Sequence, residues 1–405
     1  MPRYNPFKPS SIVSPGMFSG RGAEIAAIEQ ALFQTRNGNP QHFLIHGERG
    51  IGKSSLLYYV DILARGQITI DGDTAFSFLT ITLDLESSNT YGDIIRRIAN
   101  ELRRQLASHQ PATELVKALW DFAKHFEVKG IKYDNEPERG NATELLEELT
   151  FAIDKTLEKL VPSIDGVVIL IDEADKAPAA HLGEFVKLFT ERLTKRGCNQ
   201  VCLGIAGIST LLNQLRQSHE SSLRVFQIFT LEPLLPKERS RVLQLGLAEA
   251  EKVNRRKTVI TPDAEMLISE LSEGYPHFIQ QFAYCAFDAD DDDAIDRDDV
   301  QRGAVHPDKG AIQQLGLKYF HELYFDQIGS DEYRAVLRGM ADHLDSWVKK
   351  SELRKNLKIK DYTLNNAIAA LRKKHIILSK PGVSGVYRLP TKSFAVWMKA
   401  YTKDQ

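Results

Sequence analysis

The chain has 405 residues, 42% of them hydrophobic and 26% charged, with a formal net charge of −2. That length accommodates two or three domains, and the composition is that of an ordinary soluble protein, with apolar runs such as residues 167–171 far too short to span a bilayer. The N-terminus has no apolar signal segment, and Cys198, Cys202 and Cys285 lack metal-ligand spacing and cannot all pair, so a cytoplasmic protein with reduced thiols is expected.

The first 16 residues are rich in Pro and Ser and read as an arm. Residues 18–24, FSGRGAE, then lead into a helical pattern at Ile25, Ile28 and Leu32. A short segment at this position often packs over a nucleotide base, which makes Phe18 and Arg21 candidate base contacts. About 25 residues on, the chain reads FLIHGERGIGKSS. An apolar strand (Phe43, Leu44, Ile45) runs into Gly47-Glu48-Arg49-Gly50-Ile51-Gly52-Lys53-Ser54, which fits G-x-x-x-x-G-K-[ST]. Ser55 and an apolar, helix-compatible run follow. The glycines let backbone N–H groups approach phosphate oxygens, and the helix N-terminus adds its positive dipole end. Lys53 is expected on the β- and γ-phosphates of ATP, and the Ser54 hydroxyl on Mg²⁺.

Residues 75–85 (AFSFLTITLDL) read as a strand, and residues 87–90 offer N-caps for a helix through Ile94, Ile98 and Leu102. Residues 126–133 read either as a small hairpin or as a surface insertion without a role. A helix is expected over residues 142–160. Residues 166–175, GVVILIDEAD, form the Walker B pattern of a buried parallel strand ending in two carboxylates. Asp172 is expected to hold Mg²⁺, mostly through its water ligands, and Glu173 to orient and polarise the attacking water. Residues 201–210, VCLGIAGIST, are a further buried strand. A hydroxyl of Ser209 or Thr210 either meets the γ-phosphate or its water, or caps the next helix. Arg224 lies just before another strand at 227–231.

Beyond residue 232 three helical patterns follow without a buried strand between them, which predicts a helical subdomain after an α/β one. Pro276 suits the first turn of the third helix. His277 either points at the nucleotide or packs. The acidic run 288–293 reads as a solvated loop, with a cation site as the alternative. The last 75 residues, 331–405, carry 16 Lys and Arg against 7 Asp and Glu, so either a nucleic-acid surface or a solvated helical surface is implied. Helices over 331–341, 349–357 and 361–375 with a hairpin at 376–389 make a winged helix-turn-helix. Thr363, Asn366, Ala370 and Lys373 share one face of its third helix, suited to a major groove. Lys355, Lys358, Lys360 and Lys374 are candidates for phosphates, and Lys380 lies at the wing. Winged helices also dock proteins. The expected division is 1–16 arm, 17–231 P-loop core, 232–305 helical lid, 306–329 linker helix and 330–405 winged helix.

The ordered set FSGRGAE, GERGIGKSS, VVILIDEAD, GIAGIST, LRVFQIFTLEPL and GYPH, followed by a winged helix, resembles the AAA+ and STAND P-loop ATPases. The resemblance is strongest to archaeal and bacterial ATPases related to origin-recognition initiators, and covers residues 17–389. It implies an α/β core with a parallel sheet of order 5-1-4-3-2, ATP at the carboxyl ends of its strands, and a helical lid over the base. It also implies Ser209 or Thr210 as sensor 1 and Arg224 as an arginine finger acting on a neighbouring subunit's ATP in a homo-oligomer. Initiators carry a sensor-2 arginine near GYPH; here Pro276-His277 is more similar to the GxP element of STAND proteins.

Two functions follow from this resemblance. One is an ATP-hydrolysing switch that binds duplex DNA, in replication, transposition or phage defence. The other is a STAND-like signalling ATPase whose winged helix braces the core or meets a protein partner, without DNA. A membrane is expected in neither.

Overall fold

The computed structural model describes residues 3–12, 15–69, 75–107, 139–161, 163–343, 347–357, 359–374, 376–380 and 382–402. The expected hairpin at 126–133 and Lys358 lie outside them. The chain forms two compact units, one of residues 21–232 and one of residues 1–20 with 233–405.

The first unit alternates helices and strands: α1 (Gly22–Arg36), β1 (His42–His46), α2 (Lys53–Ala64), β2 (Phe78–Asp84), α3 (Tyr91–Ala107), α4 (Arg139–Leu160), β3 (Gly166–Asp172), α5 (Leu182–Arg196), β4 (Val201–Gly207), α6 (Leu211–Ser218) and β5 (Phe226–Thr230). The strands make one parallel sheet in the order β2-β3-β4-β1-β5, the expected 5-1-4-3-2 order read from the other edge. The three central strands are near-continuously apolar because helices cover both faces. Gly204 is required where β4 passes β1, since a Cβ there would lie 2.3 Å from Phe43 Cζ. At the β2 side, α3 buries Ile94, Ile95, Ile98, Leu102 and Leu106, one apolar stripe at helical spacing. Thr90 and Asp93 cap its start reciprocally, Asp93 accepting from the Thr90 amide at 2.9 Å and Thr90 Oγ1 from the Asp93 amide at 3.4 Å.

The second unit contains α7 (Pro236–Glu251), α8 (Pro262–Ser272), α9 (Pro276–Ala289), α10 (Arg297–Val305) and α11 (Ala311–Leu315). Two-residue strands, β6 (Val259–Ile260) and β7 (Ala294–Ile295), pair between the helices, a small addition to the all-helical reading. The N-terminal arm is docked on this unit. Phe7 is 3% exposed and packs where Gly246 leaves room on α7. Arg3 donates to Asp290 Oδ2 at 2.6 Å and to Asp293 Oδ1 at 3.1 Å. A guanidinium therefore occupies the acidic run that the sequence left open to a cation.

Helix α11 continues through wider, π-type turns over Gly316–Phe320 and Glu322–Asp326. Then come α12 (Asp331–Ala341), β8 (Val348–Lys349), α13 (Lys350–Leu357), α14 (Asp361–Lys373), β9 (Leu378–Ser379), β10 (Val386–Arg388) and α15 (Lys392–Tyr401). The three strands are antiparallel in the order β8-β10-β9. No helix among the described residues is long and apolar enough to cross a membrane.

Candidate functional site

Sheet register brings the site to one edge of the first unit. His46 at the end of β1 lies opposite Gly207 of β4 and Thr230 of β5, and Asp172 at the end of β3 lies opposite Asp84 of β2. Everything that follows these strands therefore emerges on the carboxyl edge, the side on which open α/β sheets bind ligands.

The loop from Gly47 to Gly52 leaves β1 there. Gly50 and Gly52 have φ of 79° and 97°, a conformation costly for any residue with a Cβ. Gly52 in this conformation is the N-cap of α2, so Lys53, Ser54 and Ser55 form the first turn of a twelve-residue helix aimed at the loop. Gly47 is required for a different reason: a Cβ would lie 3.0 Å from Leu231 O. Arg21, expected at a base, instead supports the loop from behind. It is 8% exposed, with Nη2 donating to Ile51 O at 3.1 Å.

Lys53 Nζ folds back onto the loop and donates to the carbonyl oxygens of Gly47 at 3.0 Å and Glu48 at 2.8 Å. Burial lowers its pKa, and the nearby Asp172 and Asp175 oppose that shift. The Ser54 hydroxyl lies close to Asp172, whose pKa burial raises while Ser54 and the Glu173 amide pull it down. Asp172 Oδ1 accepts from the Glu173 amide at 2.8 Å. The two motifs, about 120 residues apart in sequence, thus meet through one side-chain contact. Glu173 has a left-handed backbone (φ 52°) and its carboxylate is held by Lys176 Nζ at 2.5 Å.

Ser209 and Thr210 follow β4 on the same edge and are exposed. Thr210 stands at the N-cap of α6, but its side chain makes no capping hydrogen bond. Arg224 is elsewhere. It precedes Phe226, which lies opposite His42 at the amino end of β1, so the whole length of β5 separates it from the edge carrying its own P-loop. At about 3.3 Å per residue that is roughly 13 Å along the strand.

Phe18, Pro276 and His277 belong to the second unit. Pro276 opens α9. The His277 ring packs edge-on to Tyr319, centroids 5.1 Å apart, with Nε2 buried and without a hydrogen-bond partner among the described residues, and burial lowers its pKa to about 4. Lys360, Lys373 and Lys380 are exposed, and Thr363 and Asn366 are half-buried on α14, while Leu364, Ile368 and Leu371 face its core.

Two residues of the site went unassigned in the sequence. Asp175 Oδ1 accepts from the Ile208 amide at 2.8 Å, and Gln214 Nε2 donates to the Asp175 carbonyl at 3.1 Å. This ties the turn after β3 to the turn after β4, where Ser209 sits. Its signal was present as the last letter of IDEAD. His46 Nε2 contacts Thr230 Oγ1 at 2.8 Å just before the loop; a histidine ending a strand carries no signal of its own.

A parallel sheet with a glycine loop at one strand's end, a Lys and Ser on the following helix and an Asp-Glu pair one strand beyond the neighbour defines a P-loop NTPase. Residues 17–197 match the family described as AAA ATPase domain. The fold as a whole is shared with two archaeal proteins. One is the ORC2 protein of Aeropyrum pernix, solved as ADPNP and ADP complexes, with a TM-score of 0.60 and 15% identity over 99% of this chain and 98% of that one. The other is a Walker-type ATPase of Pyrococcus abyssi, with a TM-score of 0.56 and 17% identity over 94% of this chain and 96% of that one. A search of curated proteins finds no match.

Proposed function

We propose that the chain is an ATP-hydrolysing switch whose C-terminal module binds duplex DNA. The closeness of the Ser54 hydroxyl to Asp172, beside Lys53, carries the first half of this reading. Those two side chains are hard oxygen donors already brought together, a set that suits Mg²⁺. The ion, when bound, would neutralise phosphate charge.

The chain's own groups do the rest. The backbone of Gly47, Glu48, Arg49, Gly50, Ile51 and Gly52 cradles the phosphates of ATP, with Ser55 continuing the helix start. Lys53 moves from two neutral carbonyls to the β- and γ-phosphates, exchanging weak acceptors for charged ones. Glu173 leaves Lys176 and takes the proton of the attacking water. Ser209, steadied through Asp175 and Ile208, orients the γ-phosphate or that water. Arg224, remote along the strand from its own loop, serves a neighbouring subunit. Phe18 contacts the base, and Arg21 acts by holding the loop. Pro276, at the start of α9, is a further candidate nucleotide contact. His277, neutral at pH 7, adds no positive charge there. Buried free thiols at Cys198, Cys202 and Cys285 fit a cytoplasmic setting.

Equilibrium ATP binding and phosphate release test these roles. Lys53→Ala abolishes tight binding. Glu173→Gln keeps binding and slows hydrolysis by about 10²-fold or more; unchanged turnover would refute its role as base. Arg224→Ala lowers turnover only under conditions where subunits associate. The same loss in a monomer at high dilution contradicts the assignment in trans.

A second reading, in which the C-terminal module is a brace, has one observation in its favour. Ser393 Oγ donates to Leu271 O at 2.6 Å, and the Lys392 amide to Glu273 Oε2 at 2.5 Å, so α15 is fastened to α8 of the lid. That contact leaves the exposed lysines of α14 unused, and a DNA-binding measurement separates the two readings.

A further inference from the structure

The second unit contains a cavity of about 820 Å³ between the N-terminal arm and helices α9, α10 and α11, wholly within that unit. Its size falls in the range that holds small organic ligands. Four cationic side chains reach it, Lys8, Arg302, Lys309 and Lys318, against one carboxylate, Asp288.

The charges are unevenly compensated. Arg302 is paired with the buried Asp299. Asp288 is already engaged, its Oδ1 accepting from Asn5 Nδ2 at 2.8 Å. Lys318 Nζ has neutral partners, Ser10 Oγ at 3.3 Å and Gln281 Oε1 at 3.2 Å. Among the described residues Lys8, Lys309 and Lys318 form no ion pair. Partial burial of the Lys318 ammonium lowers its pKa. The cavity's thiol, Cys285, supplies no negative charge, because burial raises its pKa. Phe7 and Tyr284 add aromatic wall beside these cations.

Three ammonium groups without an ion pair, around an open cavity lined by a single carboxylate, describe a binding site for an anion. We propose that this cavity binds a small phosphorylated molecule bearing two or more negative charges, at a site separate from the P-loop. Lys309 and Lys318 are its principal contacts, and Lys8 closes it from the arm. The arm is already fixed on one side, the Lys8 amide donating to Gln280 Oε1 at 2.8 Å. Lys318 stands on the π-type segment leading to the C-terminal elements. An occupant therefore ties together the arm, the lid and the start of the C-terminal module, and is placed to regulate them.

Calorimetric titration with inorganic pyrophosphate tests this in the full-length protein. In the Lys53→Ala background, which disables the P-loop, one equivalent still binds. Adding Lys309→Gln and Lys318→Gln weakens that binding at least tenfold. Both side chains are exposed, so the variant folds, and an unchanged melting temperature verifies this. Lys237→Gln with Lys252→Gln, two lysines of the same unit outside the cavity, leaves the affinity unchanged. Absence of binding in the Lys53→Ala protein, or equal loss in the two lysine pairs, overturns the proposal.

Discussion

Lys176 stands three residues after Glu173 and takes its carboxylate at 2.5 Å, with both side chains 45% exposed. A surface pair of this kind is worth about 0.2–1 kcal/mol, so it restrains the proposed base without locking it away. Lys176→Ala is therefore expected to raise basal ATP turnover, by up to about fivefold and no more; a tenfold loss would mean that Lys176 itself serves the chemistry. His42 makes a different kind of prediction. It is buried in β1, its Nδ1 accepts from the Leu203 amide at 3.1 Å, and burial lowers its pKa from 6.5 to about 4. The folded state thus excludes the proton that the unfolded chain binds. Its contribution is complete above pH 6.5 and is lost progressively as pH falls through about 4, by roughly 3 kcal/mol at most. Urea unfolding between pH 7 and 4.5 is expected to show a shallower loss in a His42→Asn variant; parallel curves would contradict this. At this scale the sequence was legible where chemistry demands a residue type at a spacing, as with Lys53, Ser54 and Asp172. It was silent on Asp175 and put Arg21 at a base, because the contacts of both depend on which loop folds against which.

At the scale of elements, the buried strands and the α3 stripe were readable because periodicity follows directly from burial. The sheet order came from family resemblance and not from the strands' own composition. Helix α15 was missed, although Phe394, Ala395, Trp397 and Met398 have helical spacing, because a short terminal segment after a hairpin offers no flank to compare. Its importance lies in what Trp397 does to the preceding linker. A Cβ on Gly316 would lie 2.0 Å from Trp397 Nε1, and Trp397 is only 4% exposed. The helix opens into π-type turns at this close approach, and such turns are commonly tied to side-chain insertion or function. Two effects then oppose each other in Gly316→Ala. Helix propensity favours alanine by about 1 kcal/mol, whereas overpacking costs about 1–3 kcal/mol. Because the indole is enclosed by Phe320, Tyr324 and Phe394, overpacking should win. Denaturant midpoints are expected to fall; a rise would show that the indole can yield.

For the whole molecule, the question left by a net charge of −2 is what the basic C-terminal residues are for. Many of them are committed to structure. Arg334 pairs with Asp331, Arg338 donates to the Tyr324 hydroxyl, Arg354 pairs with Asp361, and Lys374 donates to the Gln327 carbonyl. Lys360, Lys373 and Lys380 remain exposed and form no ion pair among the described residues. These are the charges that the DNA reading needs, at one end of α14, at its other end and beside the hairpin. The brace reading uses α15 instead, through Ser393 and Lys392. Fluorescence anisotropy with duplex DNA, at several salt concentrations and with or without a slowly hydrolysed ATP analogue, distinguishes the two. Phosphate neutralisation makes log affinity fall linearly with log salt. Charge reversal at Lys360 and Lys373 is expected to weaken binding and to reduce that slope by about one unit for each phosphate left without its lysine. ATP binding stays unchanged because neither residue belongs to the P-loop unit. If the wild type binds no duplex in any nucleotide state, α14 is a surface for protein or solvent.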